Sequence, residues 1–552
     1  MRWSSGSDCT CGCSGGDDTN FVLSLLIVIP FVGFAVTWSA GRTLRSARAL
    51  GIAFSLAELA LATLLLVSFG TDALQGILGP RVAEVPSTPG PYVPLYYVDR
   101  FNWVPQAGLS YIVGVDGLSM PLVWLTALLT TIAMVFHWDE GHRSREFFAL
   151  LLFLEMSLTG VFIALDFLLF VIFWELVLIP MFFLIGVWGG PNRRYASMKF
   201  FVYTHVGYVI MLLSVFAIYW FYSPAANAAV YGGSGATFDM TAFLDAAERH
   251  ALNLPGAQYI QLASQIPVFV GFLIAFLIKL PSFPFHTWLP DAHVEAPTGG
   301  SVLLAGVLLK MGGYGLFRVN LGMLPDAAKD LWWLLAIFGA VSMIYTAFVC
   351  LAQVDLKRLI AYSSVGHMGF VTLGAASLSV IGVEGGVFQL FNHGLITAVL
   401  FMLAGSVKHS TGTRDIPKLH GLSKVMPQFS LVLMIGFFAS LGLPGLNSFW
   451  SEFMVFLGAY GASAFSPARA IVLIPMLSIV VTAAYYVYTM QRILFGDVPA
   501  GMEKSHDLMP WERVSYAVLL ILIIVVGLLP FTFLGMIDGY TRAALPWLLG
   551  GA

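Results

Sequence analysis

Charge is the scarcest commodity in this sequence. Of its 552 residues only 10% are Asp, Glu, Lys or Arg, against 58% that are hydrophobic. A soluble globule needs far more polar surface than that, so the composition calls for lipid as solvent. Also missing is the alternation of apolar and polar residues that marks the strands of an outer-membrane barrel. Apolar runs of about 20 residues recur instead, each long enough as a helix to cross a hydrocarbon core of roughly 30 Å. There is no G-x-G-x-x-G opening a helix in a βαβ unit, no Walker A sequence and no cysteine cluster suited to an iron–sulfur centre. The chain alone is therefore expected to perform neither nucleotide nor redox chemistry. Its formal net charge of −3 is spread over short loops and points to no nucleic acid.

Cysteine is almost as rare. Cys350 lies in an apolar stretch, while Cys9, Cys11 and Cys13 stand in a polar, Gly/Ser-rich start. That C-x-C-x-C has no second half with ligand spacing, so it reads as a flexible tail and not as a metal site. The first apolar run, from about Phe21, has no A-x-A cleavage site and follows two aspartates. It reads as a retained helix, not a signal peptide.

Hydropathy and polar punctuation predict an all-α membrane protein of fourteen transmembrane helices, at about 20–38, 48–69, 114–136, 146–164, 166–189, 197–221, 262–287, 296–318, 330–352, 356–379, 384–408, 427–461, 468–494 and 513–537. Residues 1–19 form a polar tail, 20–113 the first two helices with a long external loop, 114–537 a core, and 538–552 a short C-terminal tail. The connections Gly70 to Val113 and Ser223 to Gln261 are expected outside the membrane. Basic residues gather in cytoplasmic loops. With the N-terminus outside, the cytoplasmic loops would carry seventeen of the 27 basic residues, among them Lys199, Lys357 and Arg414. The other side would hold eight, among them Arg318, and Lys279 and Lys310 would lie within helices. Both termini are thus expected on the outer side.

A charge at mid-bilayer costs roughly 2.5–3.5 kcal/mol on insertion scales. Several occur near the middle of their helices: Glu155 in the fourth, Glu175 in the fifth, Lys279 in the seventh, Lys310 in the eighth, His367 in the tenth, His393 in the eleventh and Glu452 in the twelfth. Singly each could be one half of a structural ion pair. As a set of acids, bases and imidazoles at one depth they suit a proton relay.

Two of these charges adjoin helix breakers. Pro281 and Pro284 follow Lys279, and Pro444 with Gly445 precede Glu452. A broken turn in lipid must be buried in protein or line a water-filled cavity. Helices four to eight and nine to thirteen form two five-helix repeats, about 146–318 and 330–494, each broken in its fourth member, and an odd helix number inverts the second. Pro180 is expected to loosen the helix below Glu175. Weaker readings attach to His205, taken as a satisfied core histidine, and to His286, His293, Asp291 and Glu295, which lack zinc spacing.

The stretches VDGLSMPLVWLT, FWELVLIPMFFLIGVWGG, KLPSFPFHTWLPDAHVEAPTGGSVLLAGVLLKMGGYG, DLKRLIAYSSVGHMGF, FNHGLITAVLFMLAGSV and LGLPGLNSFWSEF closely resemble the antiporter-like subunits of NADH-quinone oxidoreductase (respiratory complex I), from about Val115 to Arg492. The resemblance implies fourteen helices, two inverted repeats and a charged axis in mid-membrane. It would make Glu175 and Lys279 the interacting pair of a first half-channel, Lys310 the connecting lysine, His367 and His393 relay groups, and Glu452 the terminal acid. Glutamate at 452 and the short C-terminus fit the M-type member, since the L-type has a lysine there and a long lateral helix.

The expected role is proton translocation driven by quinone reduction elsewhere in the complex. FMN, iron–sulfur clusters and quinone would then sit in partner subunits, with L-like and N-like membrane subunits as neighbours in the cell inner (plasma) membrane. The alternatives are a subunit of a sodium/proton antiporter or of a membrane-bound hydrogenase relative, and an inert membrane scaffold.

Overall fold

A computed structural model of the chain describes residues 21–70, 95–222, 237–251, 259–461 and 470–548. The N-terminal cysteines lie outside these residues. Twelve described helices are long and apolar enough to cross a membrane. They are α1 (Val22–Ala40), α2 (Leu44–Gly70), α4 (Ser144–Ile163), α5 (Phe167–Trp188), α6 (Arg193–Phe221), α8 (Leu262–Lys279), α10 (Thr298–Leu321), α12 (Trp332–Leu351), α13 (Leu356–Ala376), α14 (Val380–Thr411), α18 (Ala470–Leu494) and α19 (Pro510–Leu528). The shorter apolar helices α3 (Met120–Phe136) and α16 (Pro427–Ser440) stand at the third and twelfth predicted places. Between them run the amphipathic α7 (Met240–Ala251), the short α9 (Trp288–Glu295), α11 (Pro325–Asp330) and α15 (Leu422–Val425), and α17 (Asn447–Gly461); α20 (Phe531–Ala544) follows α19.

Burial sorts these helices by their chemistry. α10 and α14 are enclosed over their apolar stretches, and both carry Gly and polar residues that lipid would disfavour. α1, α2, α6 and α18 keep most of their apolar surface outward, as helices with lipid or protein neighbours would. Their ends are set by side chains. Asp166 caps α5 by accepting from the Leu168 and Leu169 N–H groups, Asp355 caps α13 through the Arg358 N–H, and Ser379 caps α14 through the Gly382 N–H.

Both expected breaks are present. α8 stops at Lys279, and a turn over residues 280–287 leads into α9. The long twelfth helix is two, α16 and α17, joined through Gly442 and Gly445 at φ 77° and 94°. A third interruption falls at Val177, between Phe167–Leu176 and Leu178–Trp188. Pro180, lacking an N–H, cannot donate back to the preceding turn there. α10 holds two π-helical turns, Leu304–Leu308 and Leu316–Leu321, on either side of Lys310.

Four expectations need correction. The segment before α3 is not helical from residue 114: strands β1 (Tyr96–Val104) and β2 (Leu109–Val115) form an antiparallel hairpin, built from the β-branched and aromatic residues of YYVDRFNWV and LSYIVGV. The last predicted helix is divided at Leu529 and Pro530 into α19 and α20. Arg318 is no loop residue. It is buried and forms an ion pair with Asp116 Oδ2 at 2.6 Å, while the rings of Tyr314 and Tyr540 stand about its guanidinium. Lys357 is buried too, and its ammonium donates to the Ala296 carbonyl at 2.6 Å. A cation with such a partner can leave water at tolerable cost. The Asp116–Arg318 pair locks the start of α3 to the end of α10, and Gly117 lets α20 close in: a Cβ there would stand 1.8 Å from the Met536 carbonyl oxygen.

Candidate functional site

The enclosed helices α10 and α14 carry the centre of the site. Lys310 is fully buried, and its ammonium donates to the Ala305 carbonyl at 2.5 Å and to His393 Nδ1 at 2.7 Å. Ala305 lies in the first π-helical turn, where backbone hydrogen bonding is irregular and a carbonyl can serve a side chain. Accepting at Nδ1 makes His393 a neutral ring with its proton on Nε2, and that nitrogen has no other partner. The His367 ring on α13 lies next, 5.4 Å from it centroid to centroid.

His367 Nδ1 is 3.4 Å from Glu452 Oε1 and Nε2 is 2.9 Å from Ser440 Oγ. Glu452 Oε1 also accepts from Ser448 Oγ at 3.0 Å. Lys310, His393, His367 and Glu452 thus run as one line from α10 through α14 and α13 to α17. The broken helix is held to α14 by a polar clasp: Asn392 Nδ2 donates to the Asn447 carbonyl at 3.0 Å, Asn447 Nδ2 to Asn392 Oδ1 at 3.2 Å, and Ser451 Oγ to Gln389 Oε1. Buried bonds of this kind contribute about 1 kcal/mol each. Gly442 leaves room for the acid, since a Cβ there would sit 2.6 Å from Glu452 Oε2. Beside His367, Ser440 and Glu452 is a cavity of about 20 Å³, space for roughly one water.

The other end is assembled differently. Glu175, two residues before the interruption in α5, bonds His205 Nδ1 on α6 at 2.5 Å. Lys279, the last residue of α8, is buried and makes no hydrogen bond. Its ammonium stands 5.5 Å from the Trp174 ring and 5.8 Å from Phe200, within the range of cation–π attraction. The resemblance implied a Glu175–Lys279 pair; the structure joins Glu175 to His205 and leaves Lys279 within the carboxylate's electrostatic reach but not bonded to it. His205, read from sequence as a core histidine, has 44% of its side chain exposed, and Glu175 has 26%. α8 and α10 meet backbone to backbone at Gly312, where a Cβ would be 2.6 Å from Leu280 N. Lys279 and Lys310 therefore stand on touching helices with no bonded group between them.

The remaining candidates lie elsewhere. Asp291 bonds Lys199 at 2.7 Å and Arg358 at 3.5 Å, and Glu295 accepts from the Asn192 N–H at 3.0 Å. His286 packs among Phe283, Tyr345 and Tyr362, and His293 stacks on Phe401 at 4.2 Å. Glu155 shares no bonded partner with the axis residues. It faces Glu58 of α2, a second buried acid that the sequence reading passed over although it stands alone in the run LAELALATLLLV.

Comparison with known proteins settles the family. The model described as NADH:quinone oxidoreductase/Mrp antiporter, TM matches residues 164–480. This chain belongs to that family. Like the curated members below, it is a multi-pass membrane subunit of the antiporter-like type. F(420)H(2) dehydrogenase subunit M of Methanosarcina mazei is 40% identical over 534 residues, 96% of this chain and 99% of that one. NAD(P)H-quinone oxidoreductase chain 4 3 of Trichormus variabilis is 41% identical over 439 residues, covering 79% and 78%. Among solved structures, a chain of respiratory complex I from Thermus thermophilus with bound NADH superposes with a TM-score of 0.78 at 29% identity, over 96% of this chain and 99% of that one. The Mrp complex of Dietzia shares the fold, with a TM-score of 0.74 at 22% identity over 95% and 52%. The matched family region spans Glu175, Lys279, Lys310, His367, His393 and Glu452.

Proposed function

We propose that this antiporter-like subunit translocates protons as the M-type member of NADH-quinone oxidoreductase, driven by quinone reduction in partner subunits. The observation that carries the reading is the line Lys310, His393, His367, Glu452, in which a donor meets an acceptor at 2.7 Å and an imidazole meets an acid at 3.4 Å. A proton passed from the Lys310 ammonium to His393 Nδ1 frees the Nε2 proton, which crosses to His367 through a bridging water or a ring movement, and His367 Nδ1 hands a proton to Glu452. Such transfers need groups held within hydrogen-bond reach or one water apart. In this reading Lys279 is the switch of the first half. Its charge is stabilised by Glu175 across a gap, so moving Glu175 toward or away from His205 changes the readiness of Lys279 to give up its proton.

FMN, iron–sulfur clusters and quinone belong to partner subunits in this reading. A carboxylate–histidine pair exposed on a membrane helix is costly against lipid, which supports L-like and N-like membrane neighbours covering it. The bias of basic residues supports both termini on the outer side, and an inner (plasma) membrane location is part of the same proposal. A reporter fused after Gly551 should then behave as exported, and cytoplasmic behaviour would overturn the orientation. A second reading keeps the proton path and changes the donor: one relative matched along nearly the whole chain is subunit M of an F(420)H(2) dehydrogenase. Purifying the assembly and assaying NADH against reduced F420 as electron donors separates the two.

Proton uptake by reconstituted vesicles tests the path. Glu452→Asp, which keeps the acid one methylene shorter, should retain partial pumping. Glu452→Gln, which keeps the shape and cannot titrate, should lose most of it. Wild-type pumping by the glutamine variant would make Glu452 structural.

A further inference from the structure

The acid pair on α2 and α4 lies off this line and calls for its own explanation. Glu58 and Glu155 are both fully buried, and their carboxyl groups are within hydrogen-bonding reach of each other. Each has one oxygen served by a hydroxyl: Thr159 Oγ1 donates to Glu58 Oε1 at 3.0 Å and Ser55 Oγ to Glu155 Oε1 at 3.0 Å, with Thr131 of α3 2.8 Å from Ser55. The other oxygen of each, Oε2, is enclosed and meets no N–H or O–H donor of another residue.

Among the described residues no cation is bonded to them. α1 and α3 carry no charged residue, nor does β2. On α2, Arg48 is engaged at its start, donating to the Trp138 carbonyl at 2.9 Å, and Arg45 lies in the same opening turn. On α4, Arg145 and Glu146 pair at the N-terminal end at 3.4 Å. The charged groups of α5 and α10 are engaged elsewhere, Glu175 with His205, Lys310 with His393 and Arg318 with Asp116, and Tyr314 of α10 packs edge-on against Phe162.

Two carboxylates at bonding distance without a cation cannot both be ionised, because like charges in a poorly solvated site repel and each has lost its water. A bond between two carboxyl groups needs a proton on one of them. We propose that Glu58 and Glu155 form a proton-binding site separate from the conducting axis, a clamp that holds α2 against α4 while it carries its proton and loosens when that proton leaves to water. Loss of the proton leaves two facing carboxylates and sends one H⁺ to solvent, so the step needs no other reactant. The three hydroxyls from α2, α3 and α4 hold the pair in place, which explains why three helices bring Ser55, Thr131 and Thr159 to one point.

The sign of the pH effect follows. A clamp closed only when protonated contributes stability at low pH and loses it as pH rises. The test uses the purified complex with this subunit unaltered or carrying Glu58→Gln with Glu155→Gln, an amide pair of the same shape that cannot titrate. Thermal unfolding is followed from neutral to alkaline pH, together with the infrared carbonyl stretch of protonated carboxylic acids in samples labelled with ¹³C-glutamate. The unaltered complex should lose stability with rising pH more steeply than the variant, and an acid band present at neutral pH should be missing from the variant. Equal pH slopes, or an acid band unchanged by the substitutions, would overturn the proposal. Should the double variant fail to assemble, Glu58→Gln and Glu155→Gln singly replace it, since each removes one acid and keeps a donor. Loss of the pH-dependent part of stability in both supports the clamp, and its persistence in both contradicts it.

Discussion

From Lys310 to Glu452 every titratable side chain stands against the next, at 2.7 Å, at 5.4 Å between rings and at 3.4 Å. From Glu175 to Lys279 none does: the acid is bonded to His205 and the lysine to nothing. The difference traces to the helices. α13, α14 and α17 are pressed together around an enclosed core and clasped by Asn392, Asn447, Gln389 and Ser451, whereas α5 is interrupted at Val177 and α6 lies at the perimeter. In the proposed reading the half from Lys310 to Glu452 has one gap to bridge, between His393 Nε2 and His367, whereas the half from Glu175 to Lys279 must move before it conducts. The proposed proton path makes one half a wire and the other a switch, and substitutions should then affect them differently.

The largest effect is expected at the junction. Lys310→Met keeps the length of the side chain and removes its proton, and pumping should fall by about a hundredfold, the scale of a lost acid–base group. Substrate-driven proton uptake in vesicles measures it, with assembly checked by gel filtration. Unchanged uptake would mean that the halves do not communicate through Lys310.

The next two substitutions set the halves against each other. Glu175→Ala and Lys279→Ala should each abolish most pumping while the complex still assembles. Because the two act on each other only through space, the double variant should be no worse than the more damaged single one. Additive losses in that cycle would make them independent sites. His205→Asn should cost less, about tenfold, since Glu175 loses its bonded partner but keeps its influence on Lys279. A loss as deep as that of Lys279→Ala would give the switch to His205.

Much of this was legible in the chain. Runs of apolar residues placed the twelve spanning helices and the two shorter apolar ones among the described residues, because lipid permits only helices whose backbone is satisfied internally. Pro281, Pro284, Pro444 and Gly445 placed the breaks beside Lys279 and Glu452 for the same reason. The hairpin at 96–115 was hidden by the Pro- and Gly-rich segment around it, although its aromatic and β-branched run is a strand signal. Arg318 looked like a loop residue because hydropathy cannot see a partner 202 positions away in Asp116.

The bond from Glu175 to His205 was equally invisible, for it joins two helices whose mutual rotation no spacing rule predicts. Glu58, a lone acid in the middle of the second predicted helix, was readable by the rule applied to Glu155. Of the axis residues, the sequence located each group but not the order in which they touch.

The smallest effect is expected outside the conducting region. Asp166 caps α5, accepts from the Leu168, Leu169 and Ser110 N–H groups, and is pushed up to about 6 from the usual carboxylate value, by burial above all. A folded-state value above the unfolded one means that this group favours the folded chain at low pH and gives up that contribution as pH rises from about 4 to 6. Asp166→Asn keeps an accepting cap and cannot titrate, so thermal stability measured across that window should become flatter by a small amount. An unchanged slope would show that the cap does not titrate there.

Proton-to-electron stoichiometry in vesicles containing His393→Phe tests the wire most directly, since this substitution keeps a ring between Lys310 and His367 and removes both nitrogens. Fewer protons moved per electron than in the unaltered complex, with the assembly intact, is the expected result. An unaltered ratio would contradict a path through the line from Lys310 to Glu452.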